Sequence, residues 1–228
     1  ISHAMTTRPS FDPTTVQREF RLMMSDYIAR VAMPELLKIL RREAPHVTIE
    51  VVASDASMHA RIERREIDLA IAPERFLSPD HPFEPVIEDP YVVVVDPANT
   101  AIGTAISIEE YVAADHIVAN MSGNRQASFE DWFLQNVDIV RKVVVTVPMF
   151  SLMPSLIVGT DMVATMHASL AASMAPAYGL RTVQVPENFP KLQEFAQWHR
   201  LSSQDLGLIW LRGKLHDVFD TVRVRGID

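Results

Sequence analysis

The sequence predicts an α/β fold made of two similar Rossmann-like lobes that are joined by a pair of crossing strands. Three observations predict it. Short β-rich runs alternate with helical runs over the first seventy residues, and the middle of the chain repeats the same alternation. Two extended stretches, one near Val95 and one over Pro186–Gln193, are expected to carry the chain into the second lobe and back.

The first lobe is predicted to run strand–helix–strand–helix–strand, a succession that favours right-handed crossovers and a parallel sheet. Apolar residues at helical spacing cover Tyr27–Arg42, and Pro34 inside this run predicts a kink or a restart of the helix. Asp55 is expected to cap a second helix that ends near Glu66. The strands are predicted at Phe20–Met24, Val47–Val52 and Ile67–Ala72.

In the rest of the chain, capping residues indicate where helices begin and end. Ser107 is expected to cap a short helix that ends at Ala113, and Gly179 is expected to end the helix Ala168–Tyr178. An amphipathic helix, Asp205–Phe219, follows near the end of the chain. The other predicted elements are the strands Pro85–Glu88, Tyr91–Val95, His116–Ala119, Val143–Val147, Asp161–Met166, Thr182–Val185 and Gln193–Trp198, and the helices Gln126–Asn136 and Phe150–Val158.

These elements predict the domain boundaries. Residues 18–95 and 198–224 are expected to form the first lobe, and residues 96–197 the second. Residues 1–10 are expected to be a tag or linker, because Ile1–Met5 has the character of a cloning remnant that ends in a start methionine.

The charge balance excludes several partners. The formal net charge is −8 and the pI is near 5.5, so this piece alone is expected to bind neither nucleic acid nor an anionic membrane surface. The chain has no cysteine, which excludes disulfides and thiolate nucleophiles and fits a reducing cytoplasm. No apolar run approaches the roughly 20 residues that a membrane span needs.

Motifs of common enzymes are missing. The sequence contains no Gly-x-Ser-x-Gly, no His-Glu-x-x-His and no glycine-rich phosphate loop. Its eight histidines are scattered, with no pair at metal-ligand spacing. No catalytic residue, metal ligand or cofactor is therefore predicted, although a serine–histidine–aspartate site assembled from distant residues stays open.

Ligands of open parallel sheets bind beyond the carboxyl ends of the strands, where helix N-termini favour negative charge. In the first lobe this position selects Ser25, Asp26 and Arg75. Ser25 can contact a ligand or serve as a plain helix cap, and Asp26 can cap or pair structurally, because a carboxylate repels an acidic ligand. Arg75 can pair with an anion or lie in a solvated loop.

The same position in the second lobe selects two loops and a histidine. Asn120, Ser122 and Gly123 follow one strand, where glycine allows close backbone approach and asparagine offers a donor and an acceptor.

Met149 and Phe150 follow another strand and supply either an apolar wall or core packing. His167 can hydrogen-bond a phenol or carboxylate, or be structural. Trp198 and His199 are interpreted as packing at the hinge.

Short motifs in a fixed order run from about Phe11 to Phe219, and together they are specific although each alone is weak. By these motifs the chain resembles the effector-binding domain of LysR-type transcription regulators, and three of them most resemble its NodD/NahR-like branch: the Phe-Asp-Pro lead-in, the Trp-His pair and the terminal Trp-Leu-Arg. The motifs are Phe11–Pro13, Arg18–Leu22, Ser25-Asp26, Met33–Leu37, Arg41–Val47, Glu66–Ile71, Gly159–Thr165, Trp198-His199 and Asp205–Arg212.

The resemblance implies a type 2 periplasmic-binding-protein-like fold with a small-molecule effector in the cleft between the lobes. Regulators of this branch answer to flavonoids or salicylate-type aromatics, which implies a small aromatic acid or phenol. The family commonly has a proline after the Thr165 strand, where this chain has Met166-His167, so the ligand chemistry of one relative does not transfer directly.

The resemblance also implies partners. DNA is expected to be contacted only through an N-terminal winged helix-turn-helix that this chain lacks, in a cytoplasmic homodimer or tetramer, with RNA polymerase as a further partner. The apolar faces of Leu36–Leu40 and Leu208–Phe219 are the expected dimer contact. The alternatives are an exported solute-binding protein of an uptake transporter and an enzyme on the same two-lobe scaffold.

Overall fold

A computed structural model of the chain describes residues 11–120 and 140–225, and within these ranges the strands form two five-stranded sheets. The first sheet contains β1 (Arg18–Met24), β2 (Val47–Ala53), β3 (Leu69–Pro73), β4 (Phe83–Asp89) and β10 (Leu192–Gln197). The second contains β5 (Tyr91–Val95), β6 (Asp115–Ala119), β7 (Lys142–Val147), β8 (Val163–His167) and β9 (Arg181–Gln184).

Both sheets are mixed rather than purely parallel. The first has the order β2-β1-β3-β10-β4, in which β1 pairs in parallel with β2 and β3, while β10 pairs antiparallel with β3 and β4. The second has the order β7-β6-β8-β5-β9, in which β6 is parallel to β7 and β8, and β5 is antiparallel to β8 and β9. The predicted two-lobe α/β fold is confirmed. The strands that run against their neighbours, β5 and β10, are those that follow a crossing between the lobes.

Helices join the parallel strands. The described helices are α1 (Asp26–Glu43), α2 (Met58–Glu63), α3 (Ile108–Ala113), α4 (Met153–Ile157), α5 (Ala168–Met174) and α6 (Leu206–Arg225). Short 3-10 turns lie at Glu74–Phe76, Phe150–Leu152, Ala175–Tyr178 and Arg200–Ser202.

Two local expectations in the first lobe are corrected. Helix α1 continues through Pro34 without a restart, because this residue and Arg30, whose carbonyl would lose its helical donor, both lie on the exposed side. Asp55 does not cap α2: its carboxylate accepts from the N–H of Ser57 at 2.7 Å, and α2 begins only at Met58.

The predicted capping residues of the second lobe are confirmed. Ser107 forms a reciprocal capping box with Glu110 at the start of α3. Gly179 has a φ of +66°, the left-handed conformation that glycine adopts at low cost, and it ends the helical run. That run is divided into α5 and the 3-10 turn Ala175–Tyr178. The predicted helix Gln126–Asn136 lies outside the described residues.

The expected dimer faces pack inside the first lobe instead. Helices α1 and α6 contact each other and bury their apolar stripes in one core. The outward-facing residues Leu37 and Ile209 remain 45% and 42% exposed. The buried members of the two stripes are Leu36, Leu40, Leu208, Leu211, Leu215, Val218 and Phe219.

Strand pairing moves the predicted lobe boundaries. Tyr91–Val95, expected in the first lobe, pairs in the second sheet as β5, so the first crossing is at Pro90. Leu192–Gln197, expected in the second lobe, pairs in the first sheet as β10. The sequence pattern did not locate these changes, because β4 and β5 are separated by a single residue. None of the described helices is long and apolar enough to cross a membrane.

Candidate functional site

The carboxyl ends of β1 and β8 meet across the two lobes. Tyr27, in the first turn of α1, stacks on the imidazole of His167 at the end of β8, with ring centroids 3.8 Å apart and planes 9° from parallel. Tyr27 is fully buried and His167 is 2% exposed. The position that strand topology selects for ligands is therefore occupied here by an aromatic contact between the lobes.

Further rings enclose His167. Tyr91 and Phe150 lie 5.1 Å and 4.8 Å from it, the latter edge-on. The Nδ1 atom of His167 is buried without a hydrogen-bond partner among the described residues. Burial lowers the pKa of His167 to about 3, so the imidazole is neutral at pH 7.

A buried carboxylate joins the same two lobes. Asp89, the last residue of β4, accepts hydrogen bonds from the hydroxyl of Tyr27 at 2.7 Å, from the N–H of Ser169 at 3.2 Å and from the hydroxyl of Ser169. Desolvation raises the pKa of Asp89, against the lowering effect of these donors. Burial, and next the Asp89 charge, raise the pKa of Tyr27, which keeps the phenol protonated. We call Tyr27, Asp89 and Ser169 the Asp89 cluster.

Glu194 is a second buried acid near this cluster. It lies in β10, is 3% exposed, and its Oε2 has no hydrogen-bond partner among the described residues. Desolvation, followed by the charge of Asp89, raises the pKa of Glu194 to about 8. Glu194 is therefore predominantly a neutral carboxylic acid at pH 7.

Asp26 forms a further direct polar contact between the lobes. Its carboxylate accepts from the backbone N–H groups of Phe150 at 3.1 Å and Ser151 at 2.7 Å, at the start of the turn that leads into α4. The first-turn carboxylate of one lobe thus satisfies helix-end donors of the other.

Replacing Asp26 with alanine is expected to lower the free energy of unfolding by about 1–3 kcal/mol, because two inter-lobe hydrogen bonds lose their acceptor. Urea titration followed by circular dichroism measures this change. Asp26→Asn is the matched control and should lose less, since its amide oxygen still accepts. Equal stability of wild type and Asp26→Ala would contradict an inter-lobe role.

The structure places the predicted site residues in different environments. Ser25 is the N-cap of α1, and its hydroxyl accepts from the N–H of Ile28 at 3.2 Å. The prediction that Ser25 caps this helix is confirmed. The structural reading of Asp26 is confirmed by its contact with the second lobe. Arg75 is exposed and its guanidinium lies 4.3 Å from the ring of Phe76.

In the second lobe, Phe150 and His167 converge on the first lobe. Asn120 donates its backbone N–H to Val147 at 2.8 Å, which holds the ends of β6 and β7 together, and Met149 is 42% exposed. Ser122 and Gly123 lie outside the described residues. A ligand role for these residues stays a prediction.

Sequence reasoning missed the buried polar residues at the crossing. Asp89 stands directly before Pro90 at the end of an extended run, and Glu194 stands next to Phe195 in another; these were the signals available. Asp89 cannot be paired with Tyr27 or Ser169 without the topology, because these partners lie 62 and 80 residues away in the sequence.

A groove of about 600 Å³ adjoins the Asp89 cluster. Glu88, Lys191, His216 and Asp220 supply its charged or titratable rim, and Asp89 and Ser169 line it as well. No predicted site residue that the structure describes lines this groove, so it is a location separate from the predicted cleft.

Comparison with known proteins identifies the family. The family model for the LysR substrate binding domain matches residues 14–220. The chain belongs to this family. The domain is thus the effector-binding part of a LysR-type regulator, a binding domain rather than an enzyme.

The curated relatives it resembles are nodulation proteins. It is 32% identical over 203 residues to nodulation protein D 1 of Sinorhizobium fredii, and 33% identical over 202 residues to nodulation protein D 2 of the same organism. These alignments cover 89% of this chain and 63% and 65% of the relatives, so the chain spans just under two thirds of their length.

Solved structures share the fold. The probable transcriptional regulator PA0477 from Pseudomonas aeruginosa superposes with a TM-score of 0.83 at 26% identity, covering 92% of this chain and 69% of that one. The regulatory domain of MexT, a transcriptional activator in Pseudomonas aeruginosa, gives 0.78 at 24% identity over 90% and 99% of the two chains. The effector binding domain of QuiR in complex with shikimate gives 0.70 at 18% identity over 89% and 97%.

Proposed function

We propose that this domain senses a small aromatic acid or phenol, bound between the two lobes, for a LysR-type transcription regulator. The regulator would act in the cytoplasm as a homodimer or tetramer and contact DNA only through a winged helix-turn-helix domain, with RNA polymerase as a further partner. The family supports effector sensing, and the observation that carries the ligand class is the ring of aromatic side chains around a neutral His167.

The chemistry of the site favours such a ligand. An uncharged imidazole offers hydrogen bonding to a phenol or carboxyl group, and Tyr27, Tyr91 and Phe150 provide ring faces and edges. A sugar or a peptide would need many more polar groups than this apolar enclosure provides. QuiR, a structural neighbour, was solved with shikimate, a ring acid.

The stacking contact suggests how binding is read out. Tyr27 covers one face of His167, so an aromatic effector reaches that face only when the lobes separate or Tyr27 gives way. The effector therefore shifts the balance between lobe arrangements by its different affinity for each. The contacts of Asp26 and Asp89 hold the arrangement described here.

Calorimetric titration with benzoate, salicylate, a hydroxycinnamate and a flavonoid tests the proposal. We expect at least one to bind, and His167→Ala and Phe150→Ala each to weaken that binding by about tenfold or more, since an aromatic contact and its packing are worth roughly 1.5 kcal/mol. Circular dichroism checks that both variants are folded.

Lys191→Ala is the matched control, because Lys191 lines the adjoining groove and not the aromatic enclosure. Weakening by Lys191→Ala alone would assign the ligand to the groove and contradict our choice of residues. Tight binding of a sugar or an amino acid, with no aromatic compound binding, would contradict the ligand class.

A further inference from the structure

A second group of titratable side chains lies on the first lobe, away from the effector site. Glu63 ends α2, His81 precedes β4 and His199 follows β10. One ligand atom from each lies within 4.8 Å of the others. Because β10 begins at the crossing and ends beside this group, Trp198 and His199 are not at the hinge, and the expectation of hinge packing is wrong.

The two imidazoles are buried beside an exposed carboxylate. His81 is 4% exposed and His199 is 6% exposed, with ring centroids 4.9 Å apart. The Nε2 atom of His81 lies 3.0 Å from Oε2 of Glu63. Its Nδ1 is buried and has no hydrogen-bond partner among the described residues. A buried ring nitrogen without a partner is costly and requires an explanation.

Buried groups hold both histidines in place. The amide of Gln197 is fully buried, donates to the carbonyls of Ser78 at 2.7 Å and His81 at 3.3 Å, and accepts from the N–H of Ser78 at 3.0 Å. These bonds fix the loop that carries His81 to the strand that leads into His199. The site is therefore built on a rigid element.

The backbone at His199 is anchored separately. The indole of Trp198 donates to Ser203 at 3.1 Å, and the guanidinium of Arg212 lies 3.6 Å from the indole ring. Arg212 in turn makes two hydrogen bonds to Glu84, at 2.9 Å and 2.6 Å. This chain of contacts fixes the residue that precedes His199.

We infer that Glu63, His81 and His199 form a binding site for a divalent transition-metal ion of the Zn²⁺ type, separate from the effector site. Two imidazole nitrogens and a carboxylate oxygen are a ligand set that zinc takes with water in its fourth position. Tetrahedral bonds of about 2.0–2.1 Å would put the ligand atoms roughly 3.3 Å apart. Nε2 of His81 and Oε2 of Glu63, 3.0 Å apart, already have nearly this spacing, and the other separations are within 4.8 Å.

Two contacts compete with the metal. The guanidinium of Arg200 lies 3.8 Å from Oε1 of Glu63, and the N–H of Leu201 donates to Nδ1 of His199 at 3.2 Å. Coordination through either nitrogen of His199 costs that hydrogen bond, since a metal on Nε2 requires the proton on Nδ1. We therefore expect micromolar rather than nanomolar affinity.

Isothermal titration of the metal-free chain with ZnCl₂ tests the site, with residues 1–10 removed because they contain His3. We expect one ion per chain, and a rise in melting temperature of roughly 5–10 °C at saturating metal. Glu63→Gln and His81→Gln should each weaken binding by tenfold or more. His46→Ala, an exposed histidine outside the group, is the control and should leave it unchanged.

Arg200→Gln tests the site independently of ligand variants that lose binding only because they unfold. This exposed residue is not a ligand, and removing its charge should tighten Zn²⁺ binding by roughly two- to fivefold. Millimolar or absent binding in the wild type would overturn the inference. So would binding that Glu63→Gln and His81→Gln leave unchanged, or binding that only His46→Ala weakens.

Discussion

Replacing Asp89 with alanine is expected to lower the free energy of unfolding by about 3–5 kcal/mol. The change leaves the hydroxyl of Tyr27 and the hydroxyl and N–H of Ser169 without their acceptor. The buried hydroxyl of Tyr27 left unpaired costs about 1–3 kcal/mol, and the two partly buried donors of Ser169 add smaller amounts. Because Tyr27 and Ser169 belong to different lobes, the loss should also loosen the contact between the lobes.

Urea titration followed by tryptophan fluorescence and circular dichroism measures the effect. Asp89→Asn is the matched control, since its amide oxygen retains one acceptor, and its loss should be clearly smaller. Glu88→Gln, a neighbouring exposed carboxylate, should change stability by less than about 0.5 kcal/mol. A loss for Asp89→Ala no larger than that of Glu88→Gln would contradict the role of the Asp89 cluster.

The second large effect is expected from Glu194→Gln and depends on pH. Glu194 has a folded-state pKa of about 8, whereas an unfolded glutamate titrates near 4.3. Between these values the folded chain holds a proton that the unfolded chain has released, so stability falls as pH rises. By linkage the cost is about 3–4 kcal/mol at pH 7 and levels off above pH 8.

Glutamine stays neutral, so Glu194→Gln should match the wild type near pH 4.5 and exceed its stability by about 3–4 kcal/mol at pH 7. Chemical denaturation at a series of pH values measures the difference. Glu187→Gln, an exposed carboxylate, serves as the control. A stability difference that does not change with pH would show that Glu194 is not buried as described.

Two buried histidines make the stability change with pH in the opposite direction at low pH. Burial lowers the pKa of His167 to about 3 and that of His116 to about 4, against about 6.5 in the unfolded chain. Below pH 6.5 the unfolded chain therefore gains protons first, and stability falls as pH falls. Together with Glu194, these groups place the stability maximum near pH 6.5.

The fold was predictable because the hydrophobic periodicity of each segment agrees with the capping and turn residues at its ends. The capping residues Ser107 and Gly179 and the apolar strands were predicted correctly. The boundaries between lobes were not, because β4 and β5 are one nearly continuous extended run, and only hydrogen-bond pairing divides it at Pro90.

The candidate site was predictable only in part. Ser25, Phe150 and His167 follow from the rule that strand ends carry function. Glu194 does not, because β10 runs antiparallel to its neighbours and Glu194 lies near the N-terminal end of that strand. Asp89 lies at the carboxyl end of β4, where the rule applies, but the nearly continuous run of β4 and β5 hid that strand end. The group of Glu63, His81 and His199 was invisible, since its two histidines are 118 positions apart and only the end of β10 brings them together.

The place of β10 in the first sheet has a consequence for biosynthesis. β10 lies between β3 and β4, so the described part of β4 has no strand partner until β10 arrives. About 100 residues separate Asp89 from Leu192, and a ribosome that adds roughly 5–20 residues per second needs about 5–20 s to supply them. The second sheet can form in the nascent chain during that interval, while the first waits with an open edge at β3. The first lobe is thus the first to be translated and the last to complete its sheet.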